Sequence, residues 1–165
     1  MWAMSIPVAY LITWTTHGSW LHGDVRGSVA RQGENHPDGP VIAPNAARVR
    51  FERSELKRPA LLLDLPRRTI VRATIRKHAG IRAWDLIALN VRSNHVHVVL
   101  ACPCSPEKAM GELKAWCSRR LRESGAIEGD VRVWTRHGST RHLFDPQAVS
   151  SAIGYVTDGQ GPDLR

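Results

Sequence analysis

The sequence predicts an α+β fold: a ferredoxin-like βαββαβ antiparallel sheet with an added C-terminal helix that carries a tyrosine. Three observations carry this reading. Strand-like and capped helical runs alternate in the order β-α-β-β-α-β. The two middle strands, "RAWDLIALNVRS" and "NHVHVVLAC", meet at a short turn around Ser93-Asn94. One more helical run, "DPQAVSSAIGYVTDGQG", follows the last strand. Such a sheet has two helices on one face and leaves the other free for a site.

Taken in order, "AYLITWTT" (residues 9–16) is rich in β-branched and aromatic residues and reads as the first strand. Residues 23–45 are crowded with Gly, Pro, Asn and Asp and form a long loop, of a length that is commonly functional or disordered. Residues 46–58 suit a short charged helix. In "LLDLPRRTIVRATIRKHAG", Asp64 caps, Pro66 sits in the first turn, and Gly80 closes a helix over 65–79. The hairpin follows. The next helix, "SPEKAMGELKAWCSRRLRES", has Ser105 as cap, Pro106 first and Gly125 just past its end, with an apolar stripe of Met110, Leu113, Cys117 and Leu121. "VRVWTRHGSTRHLF" contains the last strand. The final helix has Asp145 as cap, Pro146 first, Gly159 or Gly161 as terminator, and a stripe of Val149, Ile153 and Val156.

With 165 residues the chain suits one domain, 1–165. No apolar run approaches the roughly 20 residues that cross a bilayer, so a soluble protein with no membrane partner is expected. The apolar start "MWAMSIPVAYLITW" has no basic residues or small-residue cleavage site, which argues against a signal peptide. Cys102, Cys104 and Cys117 are odd in number and form no CxxC pair, so a reducing cytoplasm is the expected location. Twenty-three Lys and Arg against 15 Asp and Glu leave a formal charge of +8, which favours a polyanionic partner.

The chemistry is concentrated in "SNHVHVVL". Read with period two, Val96, Val98 and Leu100 share one face of a strand, and His95 and His97 share the other, their Cα atoms about 6.5 to 7 Å apart. Two imidazoles so placed can converge on one divalent ion. The pattern also arises by chance, so it needs a third ligand and a task. Cys102 and Cys104 share the parity of the valines and point into the core, which disfavours a zinc cage. On the last helix Tyr155 lies about 100° from Val156, so a helix laid across the open face brings Tyr155 toward the histidines.

"HVH" on a central strand with a tyrosine on a C-terminal helix resembles the HUH superfamily of single-strand DNA nucleases. More closely it resembles the single-tyrosine transposases of small insertion sequences and their relatives, the REP-associated tyrosine transposases. "YLITWTTHGSWLHGD", "LKAWCSRRLRE" and "WTRHGSTRHLFD" are also similar to one branch of that family. The resemblance implies metal-dependent cleavage and rejoining of single-stranded, hairpin-containing DNA during DNA transposition. It makes Tyr155 the nucleophile, leaving a 5′-phosphotyrosine link and a free 3′-hydroxyl. Because a phenol is a weak nucleophile at neutral pH, it also implies Mg²⁺ or Mn²⁺ on His95 and His97. The last helix could act in its own chain or be exchanged in a homodimer.

Many relatives have Gln or Asn four residues after the tyrosine, where this chain has Gly159. Helix geometry puts Asp158 about 60° from Tyr155 and Gln160 about 140°. Geometry favours Asp158 as third ligand, residue type favours Gln160, and both stay open. For DNA contacts the candidates are Arg68, Arg72 and Arg76, recurring every four residues, and the group of Lys114, Arg119 and Arg120 with Arg122. Trp14, Trp20, Trp116 and Trp134 offer either stacking surface or core. His17, His22, His137 and His142 fall in the family-like segments without an assignable role. Two other classes compete: a non-catalytic or domesticated single-stranded nucleic-acid-binding protein, and a zinc hydrolase of small molecules, which would need neither the basic surface nor Tyr155.

Overall fold

A computed structural model of the chain describes residues 6–19, 28–29, 41–42, 45–55 and 59–161. The elements are β1 (Ala9–Thr15), β2 (Ser28–Val29), β3 (Val41–Ile42), α1 (Ala46–Ser54), α2 (Leu65–Ile81), β4 (Asp85–Val91), β5 (His95–Ala101), α3 (Pro106–Glu123), β6 (Ser139–Leu143) and α4 (Pro146–Thr157). Strands pair antiparallel in the order β4-β5-β1-β6. With α2 and α3 as crossovers, this is the predicted ferredoxin-like α+β arrangement, with α4 added.

The helices begin where the sequence provides caps. Asp64, Ser105 and Asp145 accept the backbone N–H of Arg67 (3.0 Å), Lys108 (3.3 Å) and Ala148 (2.7 Å), and each is followed by a proline in the first turn. One expected end is wrong. Gly80 does not close α2, which continues to Ile81. The reversal falls on Ala83, at φ 52°, where Ala83 N–H bonds to Gly80 O (3.1 Å) and Trp84 N–H to Ala79 O (2.9 Å). That is a Schellman closure with alanine in the left-handed position glycine usually takes. The buried Trp84, following directly, anchors the turn and offsets a strain of about 1 kcal/mol. Part of the expected 23–45 loop is the small β2–β3 ribbon, Asn45 is the N-cap of α1, and the loop's other residues lie outside those described.

The sheet separates two apolar layers. On one side α2 and α3 cover Ile12, Trp14, Val96, Val98 and Leu100 with Val71, Ile75, Leu113 and Leu121. On the other, Ala152 and Val156 of α4 pack on Ala9, Val99 and Leu143. β5 runs through the centre, so its alternation sends Val96, Val98 and Leu100 to the first layer and both histidines, with Val99, to the second. A bulge in β4 between Leu86 and Ala88 resets that strand's alternation. Asn90 then lies on the α4 side, and its amide donates to Val156 O at 2.7 Å. The β4–β5 turn is itself buried: Thr16 N–H bonds to Asn94 O (2.9 Å) and Leu63 N–H to Ser93 O (2.6 Å).

Cys102 and Cys104 lie on the α2–α3 side, away from the histidines, with their sulfurs 3.7 Å apart. Trp14, Trp84 and Trp134 are core residues, whereas Trp116 is exposed and Trp20 lies outside the described residues. Among the described residues, no helix is long and apolar enough to cross a membrane.

Candidate active site

β5 and α4 bring four sequence-selected side chains to one place. The His95 and His97 rings stand edge to face with centroids 4.7 Å apart, and the Tyr155 ring meets His97 at 5.4 Å. Tyr155 is 48% exposed although its helix neighbour Val156 is fully buried, because the apolar stripe of α4 faces the sheet and the tyrosine stands beside it. Its ring therefore stands half-exposed against His97.

Each imidazole is oriented by a neighbour. Thr13, the partner of His97 in the β1–β5 register, lies with Oγ1 2.7 Å from His97 Nδ1. Asn94 Oδ1 lies 2.6 Å from His95 Nδ1. An amide oxygen only accepts, so Nδ1 of His95 carries a proton directed at Asn94. Nε2 of the same ring lies 3.4 Å from Gln160 Oε1. The amide is fixed in this sense because its nitrogen donates to Tyr155 O at 2.7 Å. Both ring nitrogens of His95 thus face amide oxygens.

His97 is 3% exposed, and its buried Nε2 has no hydrogen-bond partner. Its pKa is pushed down to about 4, first by burial, then by the neighbouring His95 and more weakly by Arg92. The nearby Gln160 amide pulls in the opposite direction without making a hydrogen bond to Nε2. The ring is consequently neutral near pH 7, the form in which imidazole ligates a metal. Among the described residues, no group of three or more His, Cys, Asp and Glu side chains is placed to hold a metal ion. The third donor within reach of the histidines is the Gln160 amide.

The end of α4 explains how Gln160 arrives there. Gly159 sits so close to the preceding turn that a Cβ on it would lie 2.9 Å from Tyr155 O and 3.1 Å from Tyr155 Cα. Glycine permits this tight exit, and Gln160 folds back beneath the helix. Arg92 holds the following turn by donating to Gly161 O at 2.8 Å. Asp158, the other candidate, is the exposed C-cap of α4 and makes no hydrogen bond to either histidine.

The DNA-contact candidates fall elsewhere. Arg68, Arg72 and Arg76 belong to α2 and Arg119 and Arg120 to α3, both across the sheet from Tyr155. Arg119 and Arg120 pair with Glu123 at 3.0 and 2.7 Å. Lys114 donates to Thr135 O and His137 O, both at 3.0 Å, and burial and the nearby Arg132 push its pKa down to about 8. Sequence reasoning missed Thr13, Asn90 and Asn94. Asn94 stood beside the motif in plain view, but Thr13 and Asn90 became visible only through strand pairing.

Comparison with known families gives a match to the model described as "Transposase IS200 like" over residues 57–143, just over half of the chain. A comparison with curated proteins gives no match. Among solved structures, a REP-associated tyrosine transposase bound to a REP hairpin is similar with a TM-score of 0.47 at 9% identity, over 94% of this chain and 68% of that one. A transposase-like protein from Deinococcus radiodurans R1 is similar with a TM-score of 0.47 at 14% identity, over 94% of this chain and 93% of that one.

Proposed function

The chain belongs to the IS200-like transposase family, and on that premise we propose that it cleaves and rejoins single-stranded DNA in transposition, with Tyr155 of its own α4 as nucleophile. The observation that carries this reading is the convergence of Tyr155, His95, His97 and Gln160 on the open face of the sheet.

The Tyr155 oxygen attacks a backbone phosphorus. The new O–P bond replaces the bond to the 3′ oxygen, and the phenolic proton is balanced by the proton gained on the departing 3′-hydroxyl. The DNA end stays attached as a 5′-phosphotyrosine, so rejoining is the same exchange run with a different 3′-hydroxyl. Exposure of Tyr155 lets a strand reach it, and burial of Val156 beside it fixes where the ring stands.

A divalent ion fits the donors present. The unpartnered lone-pair nitrogen of a neutral His97, His95 Nε2 and Gln160 Oε1 would hold it. Bound there, Mg²⁺ or Mn²⁺ supplies polarisation of the phosphate and balances its developing charge. Thr13 and Asn94 keep both rings turned for this task, as partners behind metal ligands commonly do.

Tyr155→Phe tests the reading. The hydroxyl makes no hydrogen bond among the described residues, so the variant should fold and bind DNA like wild type while forming no adduct. A hairpin-bearing strand labelled 3′ of the nick, run on a denaturing gel, should give a labelled protein band with wild type alone. Cleavage that persists in Tyr155→Phe refutes the tyrosine mechanism. Binding without cleavage by wild type supports a non-catalytic DNA-binding protein instead.

A further inference from the structure

The basic side chains form two populations. On the outer faces of α2 and α3, across the sheet from Tyr155, some arginines are engaged by carboxylates, Arg67 by Asp64, Arg82 by Glu112, Arg119 and Arg120 by Glu123, whereas Arg72 and Arg76 form no ion pair with a carboxylate of the described residues. Around the β6 edge of the sheet, no carboxylate of the described residues lies within ion-pair distance of Lys114, Arg132, Arg136 or Arg141. These cations are open to a polyanion from outside.

Their placement is continuous with the site. Thr13 pairs with His97 on one side and Ser139 on the other, so Ser139 is two strand spacings, about 10 Å, from His97. Arg141, opposite Leu11, shares that face by alternation. Just before β6 the chain rounds the sheet edge at Gly138, where a Cβ would come within 2.5 Å of Thr13 O. Beyond it, Arg136, His137 and Lys114 line a cleft of about 380 Å³. Lys114 uses two of its three N–H bonds on Thr135 O and His137 O, which leaves one for a ligand. The carboxylate on the cleft wall, Glu107, accepts the Thr140 hydroxyl at 2.7 Å.

We propose that the single strand leaving the Tyr155 site runs over the β6 edge, its phosphates lying against Arg141, Arg136, His137 and Lys114 and not against the arginine faces of α2 and α3. The proposal rests on the strand-cleaving reading and names the surface that holds the substrate. Contacts of this kind position a strand without reading its sequence.

The test uses an unstructured oligothymidine of about 30 nucleotides, longer than a typical single-strand site. Binding is measured by fluorescence anisotropy across a salt series. Arg136→Glu should raise Kd about tenfold and reduce the salt slope by about 0.7, the value for one lost phosphate contact. Arg136→Lys should restore the slope. Lys77→Glu makes the same charge change on the α2 face and should leave both unchanged. Because Arg136 is exposed, its variants should keep the wild-type thermal midpoint. Equal weakening by Lys77→Glu and Arg136→Glu overturns the path, as does wild-type binding by Arg136→Glu. Adduct formation is assayed on the same wild-type preparation. A protein that cleaves but ignores Arg136→Glu overturns the path alone, and one that neither binds nor cleaves overturns both readings.

Discussion

Replacing His97 by Gln removes a buried imidazole that cannot take up a proton at the pH where an unfolded histidine does. In the folded, metal-free chain its pKa is pushed down to about 4, against 6.5 for a free side chain. Between these values the unfolded chain binds the proton and the folded chain does not, so stability is full above about pH 6.5 and falls as the pH drops toward 4. The loss from this one group is about 2 kcal/mol between about pH 7.5 and pH 5, approaching about 3 kcal/mol below pH 4. Urea unfolding of wild type and His97→Gln, both in chelator at a series of pH values, isolates it, because the other histidines are present in both proteins. The wild-type curve should descend more steeply toward acid by that amount. Parallel curves would mean that the ring is solvated or protonated in the folded state, and the account of a neutral ligand would fall with it.

Gly159→Ala places a methyl against the Tyr155 backbone at 2.9 and 3.1 Å and should displace Gln160 from His95. Calorimetry should show Mn²⁺ affinity reduced about tenfold; an unchanged affinity removes Gln160 from the donor set. Gly138→Ala meets Met110 Sδ and Thr13 O, both at 2.5 Å, and should cost about 1–3 kcal/mol in urea unfolding. A cost near zero would show that the edge loop gives way freely.

Much of the fold was legible because its signals are local. Caps, first-turn prolines and period-two alternation act over a few residues, and they located the three main helices and the two faces of β5. The end of α2 was not legible, because the anchor of that turn is the burial of Trp84 in a core that alternation in α2 does not describe. At the site, His95, His97 and Tyr155 could be selected from spacing and family resemblance. Which of Asp158 and Gln160 lies beside His95 could not, since straight-helix angles fail once the chain leaves the helix at Gly159. The placement of the basic residues was not legible either. A cluster in the sequence does not say which face of the sheet it reaches: Arg68, Arg72 and Arg76 lie on α2, across the sheet from Tyr155, whereas the cations near the β6 edge are scattered over α3, the loop before β6 and β6 itself.

The buried turn between β4 and β5 has a consequence for how this chain can vary through descent. Turns are ordinarily where insertions accumulate, because their backbone faces water. The exposed turn at Glu128, Gly129 and Asp130 is of that ordinary kind. At Ser93 and Asn94 the carbonyls are instead taken by Thr16 and Leu63 from distant parts of the chain, and the Asn94 side chain sets the His95 ring. An added residue there would break three connections at once and shift the histidines along the strand. Lineages of this protein can therefore lengthen at the Glu128, Gly129 and Asp130 turn and are held to a fixed length at Ser93 and Asn94.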